Sequence, residues 1–301
     1  MELVTPENVD KWRKAGTIAA QALQYGAQLI KKGASMHETC VATDQHIIEL
    51  GAKPAWPTQI GCNEVAAHST PDPDDKTVFG SEIVCLDVGA HIDGCIGDTA
   101  LTVDLSGQYA DLVKAAKDAF EAAQKVVAVG AKVADISAAI QDAITSAGFS
   151  PVRNLSGHTI SPYVIHDAPT IPNIKTNLKT ELVKGQVIAI EPFATDGAGA
   201  VDEAERTNLF ALWNKKPVRS AYAREVMQFV EQNYKNLPFT TRWLAAKFGL
   251  GKTNLALREL SQAGCLHGYP PLVEVNKGMV AVHENTLLVD DKVEVLTKAG
   301  E

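Results

Sequence analysis

Ile83-Val84-Cys85-Leu86-Asp87-Val88-Gly89-Ala90-His91-Ile92-Asp93-Gly94-Cys95-Ile96-Gly97-Asp98-Thr99-Ala100 reads as two apolar strand-like runs, each interrupted by one aspartate. Asp93-Gly94 between them is a strong two-residue hairpin signal. Strand side chains alternate between faces, so a loop of even length puts Asp87 and Asp98 on one face. They then lie opposite or diagonal to each other, with Cβ atoms roughly 5–8 Å apart. Two ionised carboxylates so placed repel, and each also loses hydration. A shared proton or a cation between them relieves both costs. A loop of odd length would instead send one aspartate to solvent, and the hairpin alone leaves both arrangements open.

Outward from this hairpin, helices and strands come in blocks. Thr5-Pro6 reads as an N-cap and a first-turn proline, opening an amphipathic helix that stops near Gly33. Ser35-Met36-His37-Glu38 is a capping box for a second helix, closed by Gly51. Helical spacing returns over roughly 108–129 and 135–147, the latter ended by Gly148. A loop-rich stretch with two histidines precedes the strand-like Gln186-Val187-Ile188-Ala189-Ile190-Glu191-Pro192. Antiparallel strands and helices in separate blocks predict an α+β architecture.

Residues 197–270 have a different texture. Gly197-Ala198-Gly199-Ala200 reads as a flexible entry to three helical runs at 222–234, 241–248 and 254–263. The stretch from Cys265 to Val273 then reads as a strand with a turn. The expectation is a helical, winged-helix-like module, 197–270, inserted into a larger domain formed by 1–196 and 271–301. Gly278-Met279-Val280-Ala281-Val282-His283-Glu284 resumes the larger domain as a strand bearing an acid. Winged helices bind DNA, and Lys235, Arg242, Lys247, Lys252 and Arg258 supply positive charge. Glu231 and Glu259 dilute it, and no basic stripe emerges. The module is therefore read as a structural wall beside a cleft of the larger domain, with no nucleic-acid partner expected.

A formal charge of −8 over 301 residues argues against nucleic-acid binding through the whole surface. No run of about eighteen apolar residues occurs, and the N-terminus lacks a basic-then-apolar leader, so a cytoplasmic protein with no membrane partner is expected. Cys40, Cys62, Cys85, Cys95 and Cys265 show no metal-finger spacing and read as reduced thiols. Gly249-Leu250-Gly251-Lys252-Thr253 ends like a phosphate loop, but Ala246 stands where its first glycine belongs, and it reads as an interhelix turn. Neither a dinucleotide fingerprint nor a Gly-x-Ser-x-Gly elbow is present.

Three further places carry ligand-type side chains that structure alone does not demand. His158 and His166 lie eight residues apart in the loop-rich stretch, Glu191 ends an apolar strand, and Glu284 follows another. Any one is ordinarily a solvated or internally satisfied residue. With Asp87 and Asp98, however, four carboxylates and one imidazole make a set suited to two divalent first-row cations such as Mn, Fe, Co or Zn.

At these residues the chain resembles the methionine aminopeptidases, specifically the type II class, within the pita-bread metallopeptidase family. The matching strings are Asn63-Glu64-Val65-Ala66-Ala67-His68, Leu86-Asp87-Val88-Gly89, Gly97-Asp98-Thr99-Ala100 and Ser156-Gly157-His158. Ile190-Glu191-Pro192-Phe193, Leu266-His267-Gly268-Tyr269-Pro270-Pro271-Leu272 and Gly278-Met279-Val280-Ala281, leading to Glu284, complete them in family order. The helical module looks like the insert that separates type II from type I enzymes, and the lack of a long charged N-terminal extension is similar to archaeal members.

The resemblance implies a pita-bread fold and removal of the initiator methionine from nascent chains and peptides, with preference for a small second residue. It implies Asp87, Asp98, His158, Glu191 and Glu284 as ligands of two divalent metals, with Asp98 and Glu284 bridging. His68 and His166 would flank the peptide group, Glu191 would shuttle a proton, and Trp56 and Ile165 would line the methionine pocket. A monomer is the simpler expectation. Ribosome association suits such an activity, although no residue specifies it. Three positions depart from the family pattern: Trp56 for a usual Phe, Ser69 for Tyr, and Asn285 for His after the last glutamate. A proline-directed peptidase of the same fold and a non-catalytic RNA- or protein-binding relative are the competing readings; the latter lose ligands that are all present here.

Overall fold

In the computed structural model, which describes residues 1–298, helix α1 (Val9–Leu29) buries Trp12, Ala15, Ile18, Ala19, Ala22 and Leu23. That spacing is one face of a helix laid on a sheet. Its start differs from the expected Thr5 cap. Asn8 is the N-cap, without a side-chain cap bond, because its Oδ1 is taken by the Thr5 N–H at 2.8 Å. The Pro6 turn is therefore a separate turn ahead of the helix. Helix α2 (Met36–Glu49) begins as expected, with Ser35 Oγ accepting the Glu38 N–H. Helix α3 (Ala110–Val126) falls within its expected block, and α4 (Val133–Ser146) starts two residues ahead of its own.

The main sheet is built on β1 (Ile83–Ile92), β2 (Cys95–Asp104), β3 (Ser156–Ser161), β4 (Val164–Pro172), β5 (Gln186–Ile190) and β6 (Glu284–Val289). Their spatial order is β1-β2-β6-β5-β3-β4, with Lys53–Pro54 and Gln59–Cys62 pairing outside β1. Leu86 and Val88 pack with α1 and α2, while Ile188, Ile190 and Leu287 pack with α3 and α4. All four helices thus cover one face of the strands and leave the opposite, acid-bearing face to line a cavity. Helix α1 approaches β2 backbone to backbone. A Cβ on Gly97 would meet Gly16 Cα at 2.5 Å, so glycine at 97 lets the helix backbone support the strand next to Asp98.

Helices α5 (Ala221–Asn233), α6 (Thr241–Phe248) and α7 (Leu250–Gln262) enclose their own apolar cluster around Val226, Leu244 and Leu260. Helix α7 starts four residues earlier than expected. Gly249, with φ +78, makes the turn alone, and Lys252 and Thr253 lie in the helix. The expected wing divides in two: Leu266–Gly268 pairs with Leu209–Leu212, whereas Leu272–Glu274 joins Val201–Glu203 and Val65–Ala67. Nor is the entry at 197–200 flexible. The fully buried Glu274 carboxylate accepts the N–H groups of Ala198, Gly199, Asn276 and Gly278.

Arg242 is not surface charge. It is buried and donates to Asp44 of α2 at 2.9 Å, and the same carboxylate accepts the Trp243 indole and the Thr58 N–H. This carboxylate fastens α6 to the loop that leads to Gln59. Glu274→Ala takes the shared acceptor from four N–H groups, that of buried Gly199 among them, and should lower unfolding free energy by about 3 kcal/mol in urea titration; an unchanged midpoint would remove Glu274 as the clamp of this entry.

Candidate metal centre

Strand register decides which side chains meet. Asp93 (φ 51) and Gly94 (φ 92) are both left-handed, as a tight hairpin turn matching strand twist requires. The resulting pairing sets Asp87 opposite Ala100, and Asp98 opposite Gly89. The two aspartates therefore share a face, diagonally. Ala100 is also opposite Glu284 of β6. Two residues along, Thr286 faces Ala189 of β5, and Ala189 faces His158 of β3. Glu191 follows Ala189 by two. Alternation thus points all five side chains to one face of five adjacent strands. The β3–β4 register shifts between His158 and Thr159, a bulge that re-aims the chain at this point.

These five side chains line a cavity of about 70 Å³, together with His68, His166, Trp56 and Ile165. His158 Nε2 is 3.4 Å from Glu191 Oε1 and 3.6 Å from Asp98 Oδ2. Ligand atoms of Asp98, His158 and Glu284 all lie within 4.8 Å of one another. Among the described residues no lysine or arginine lines the cavity. Burial pushes the Asp87 carboxyl up to about 7, against the pull of the Trp56 N–H. Burial, then the charge of Asp87, raises Asp98 well above the usual carboxylate range. Glu191 and Glu284 are raised in the same way, by burial first and by the neighbouring acids second.

The histidines move in the opposite direction. Burial, followed by the proximity of His166, lowers His158 to about 3 and His68 to about 4. His166 opens one face to the cavity, yet enough protein surrounds it that burial lowers it too. All three imidazoles are neutral near pH 7. None offsets the acids.

Much of the surrounding structure orients this set. Trp56 is 3% exposed, and its indole N–H donates to Asp87 Oδ1 at 3.1 Å. Gly89 makes room for that ring, since a Cβ there would meet it at 2.4 Å. Thr286 Oγ1 accepts the Asp98 N–H and donates to the Asp98 carbonyl, both at 2.8 Å. Gln59 Oε1 accepts the His68 N–H at 2.6 Å, holding His68 at φ 61. Tyr269 stands edge-on to His68 with ring centroids 5.5 Å apart. Asn285 faces the other way and accepts from Thr297 at 2.9 Å, while His283 packs on Phe120. Neither Asn285 nor His283 lines the cavity.

Sequence reading did not single out Gln59, Cys85 or Thr286. Gln59 and Cys85 face the cavity from strands whose apolar pattern carries no site signal, and Thr286 acts on the Asp98 backbone. Four buried acids with one neutral nitrogen and no cationic side chain fit hard or borderline divalent metal ions.

Comparison with known proteins points to a metallopeptidase. The sequence profile of metallopeptidase family M24 matches residues 10–229. The methionine aminopeptidase of Archaeoglobus fulgidus is 46% identical over 283 residues, covering 94% of this chain and 95% of its own. A methionine aminopeptidase structure from Thermotoga maritima superposes with a TM-score of 0.73 at 24% identity, over 99% of each chain. A thermophilic Arx1 superposes with a TM-score of 0.84 at 18% identity, over 97% of this chain and 91% of that one. The last two, at those identities, speak for the pita-bread fold alone. By profile and by near-full-length identity, this chain belongs to metallopeptidase family M24, in its methionine aminopeptidase branch.

Proposed function

We propose that this chain hydrolyses the bond after an N-terminal methionine, using two divalent cations held by Asp87, Asp98, His158, Glu191 and Glu284. The observation that carries the proposal is the convergence of these five side chains, without a basic counter-residue, on one face of the sheet. Asp98 and Glu284 would hold the cations jointly with His158, with which their ligand atoms group within 4.8 Å. Bound there, divalent cations supply Lewis acidity toward the scissile carbonyl and lower the pKa of a water.

The chain's own residues do the rest. Neutral His68 and His166 present ring N–H donors toward a peptide group in the cavity and stabilise charge developing on its carbonyl oxygen. Glu191 Oε1, at the cavity edge, receives the proton of the attacking water and passes it to the leaving amine. Trp56 and Ile165 bound the space for an unbranched side chain such as methionine. The helical segment contributes Leu209, Pro238 and Tyr269 to the same cavity. This supports treating it as an inserted wall of the cleft. No helix among the described residues is long and apolar enough to cross a membrane, and peptides with a free N-terminus are the proposed substrates.

Elemental analysis together with mass spectrometry of a digest of Met-Ala-Ser tests this reading. Free methionine should appear with metal present, stop on chelation, and be lost in Asp98→Ala. Release by metal-stripped protein, or faster cleavage of an X-Pro panel, would contradict it. Trp56→Phe keeps the ring and deletes the N–H to Asp87; cation affinity by calorimetric titration should fall roughly 10–100-fold, and unchanged affinity would make Trp56 pocket lining only.

Proton linkage gives a further test on stripped protein. Carboxyls raised in the folded state contribute stability only while protonated, so stability falls as pH rises from the unfolded carboxylate range through the folded values. Histidines lowered in the folded state act oppositely, but only below about pH 6.5. From about pH 7 to about pH 9 the melting temperature of stripped protein should therefore fall, and added Mn should restore it most at the alkaline end. A flat profile would show that these acids are not held together.

A further inference from the structure

A groove of about 700 Å³ adjoins the catalytic cavity, and Ile165, His166, Pro238 and Tyr269 form walls common to both. Beyond them it is lined by Val164, Trp213, Asn214 and Asn236. Trp213 is the conspicuous member. It is 71% exposed, on the loop following Leu209–Leu212, where burial would be the ordinary fate of an indole. Its backbone is nevertheless anchored. The backbone N–H groups of Trp213 and Asn214 both donate to the Cys265 carbonyl, and the ring lies 5.8 Å from that of His267, which meets Tyr269 edge-on at 4.6 Å. An aromatic row therefore runs from His68 in the catalytic cavity through Tyr269 and His267 to Trp213.

The opposite wall is a strand edge. β4 ends the sheet order, and its outer side has no strand partner among the described residues. Val164, Ile165 and His166 at its start reach from the groove into the cavity. An unpaired edge, two carboxamides and an aromatic row are the chemistry that receives an extended peptide: main-chain hydrogen bonds on one side, side-chain contact on the other.

We propose that this groove binds the third to fifth residues of the peptide substrate, with a preference for an aromatic or large apolar side chain against Trp213. The assignment rests on the peptidase reading above and adds to it a selectivity reaching beyond the residues at the scissile bond. The groove opens from the wall that carries His166 and Tyr269. A substrate whose first residue lies between Trp56 and Ile165 leaves in that direction.

Steady-state hydrolysis of Met-Gly-Ser and Met-Gly-Ser-Phe-Ser by the metal-loaded chain tests the proposal. The pentapeptide should have a KM about five- to tenfold lower, the range expected of one aromatic contact. In Trp213→Ala the ratio of the two KM values should fall toward one, and in Trp213→Phe, which keeps a ring, most of it should remain. Equal KM values in the parent chain, or an unchanged ratio in Trp213→Ala, would overturn the groove assignment while leaving the peptidase reading intact. Hydrolysis of neither peptide would overturn the peptidase reading itself.

Discussion

Asp87, Asp98, Glu191 and Glu284 repel one another across a space largely closed to bulk water, and the surrounding chain holds them there regardless. At the 4.8 Å grouping of Asp98 with Glu284, two full negative charges cost about 3–4 kcal/mol at an effective protein dielectric near 20. Several such pairs would consume the roughly 5–15 kcal/mol by which a domain is stable. The acids must therefore hold protons or cations, and the three neutral histidines beside them offer no charge of their own. This requirement explains why so much nearby structure is rigid where loops would suffice.

That rigidity comes from unlike sources. Gly97 brings a helix backbone onto the strand next to Asp98. Thr286 locks the Asp98 peptide from the neighbouring strand, and the Trp56 indole fixes Asp87. Farther out, Asp44 ties α6 to the loop leading to Gln59, which in turn sets the left-handed turn at His68. Glu274 pins the segment where the chain leaves toward α5. A buried acid thus performs three tasks here: holding charge in the cavity, bracing α6 and clamping a loop. Neighbouring donors distinguish them, because Asp44 and Glu274 are surrounded by N–H groups while the cavity acids are not.

The Asp93-Gly94 turn and the alternation around it, both local features, raise the aspartate pair as one of two arrangements, and the register of the folded hairpin is the paired one. The Ser35 capping box was legible for the same reason. Convergence of His158, Glu191 and Glu284 on that pair depends on the spatial order of strands far apart in sequence, so donor chemistry and the family resemblance propose it where local pattern does not. Local cues also misled. Thr5-Pro6 looks like a helix start, but Asn8 captures the Thr5 N–H and moves it. Gly249 to Thr253 looks like a turn, although one left-handed glycine suffices. Arg242 counted as surface charge until Asp44 appeared opposite it, and Trp213 carried no signal because its significance lies in what it adjoins.

The central claim is that the five side chains enclose a pair of cations. Crystals soaked in Mn and measured at a wavelength giving anomalous signal test it most directly. Two anomalous peaks should lie within the ring of Asp87, Asp98, His158, Glu191 and Glu284, with Asp98 and Glu284 contacting both. Peaks confined to surface carboxylates, or a cavity without density under saturating metal, would contradict the account.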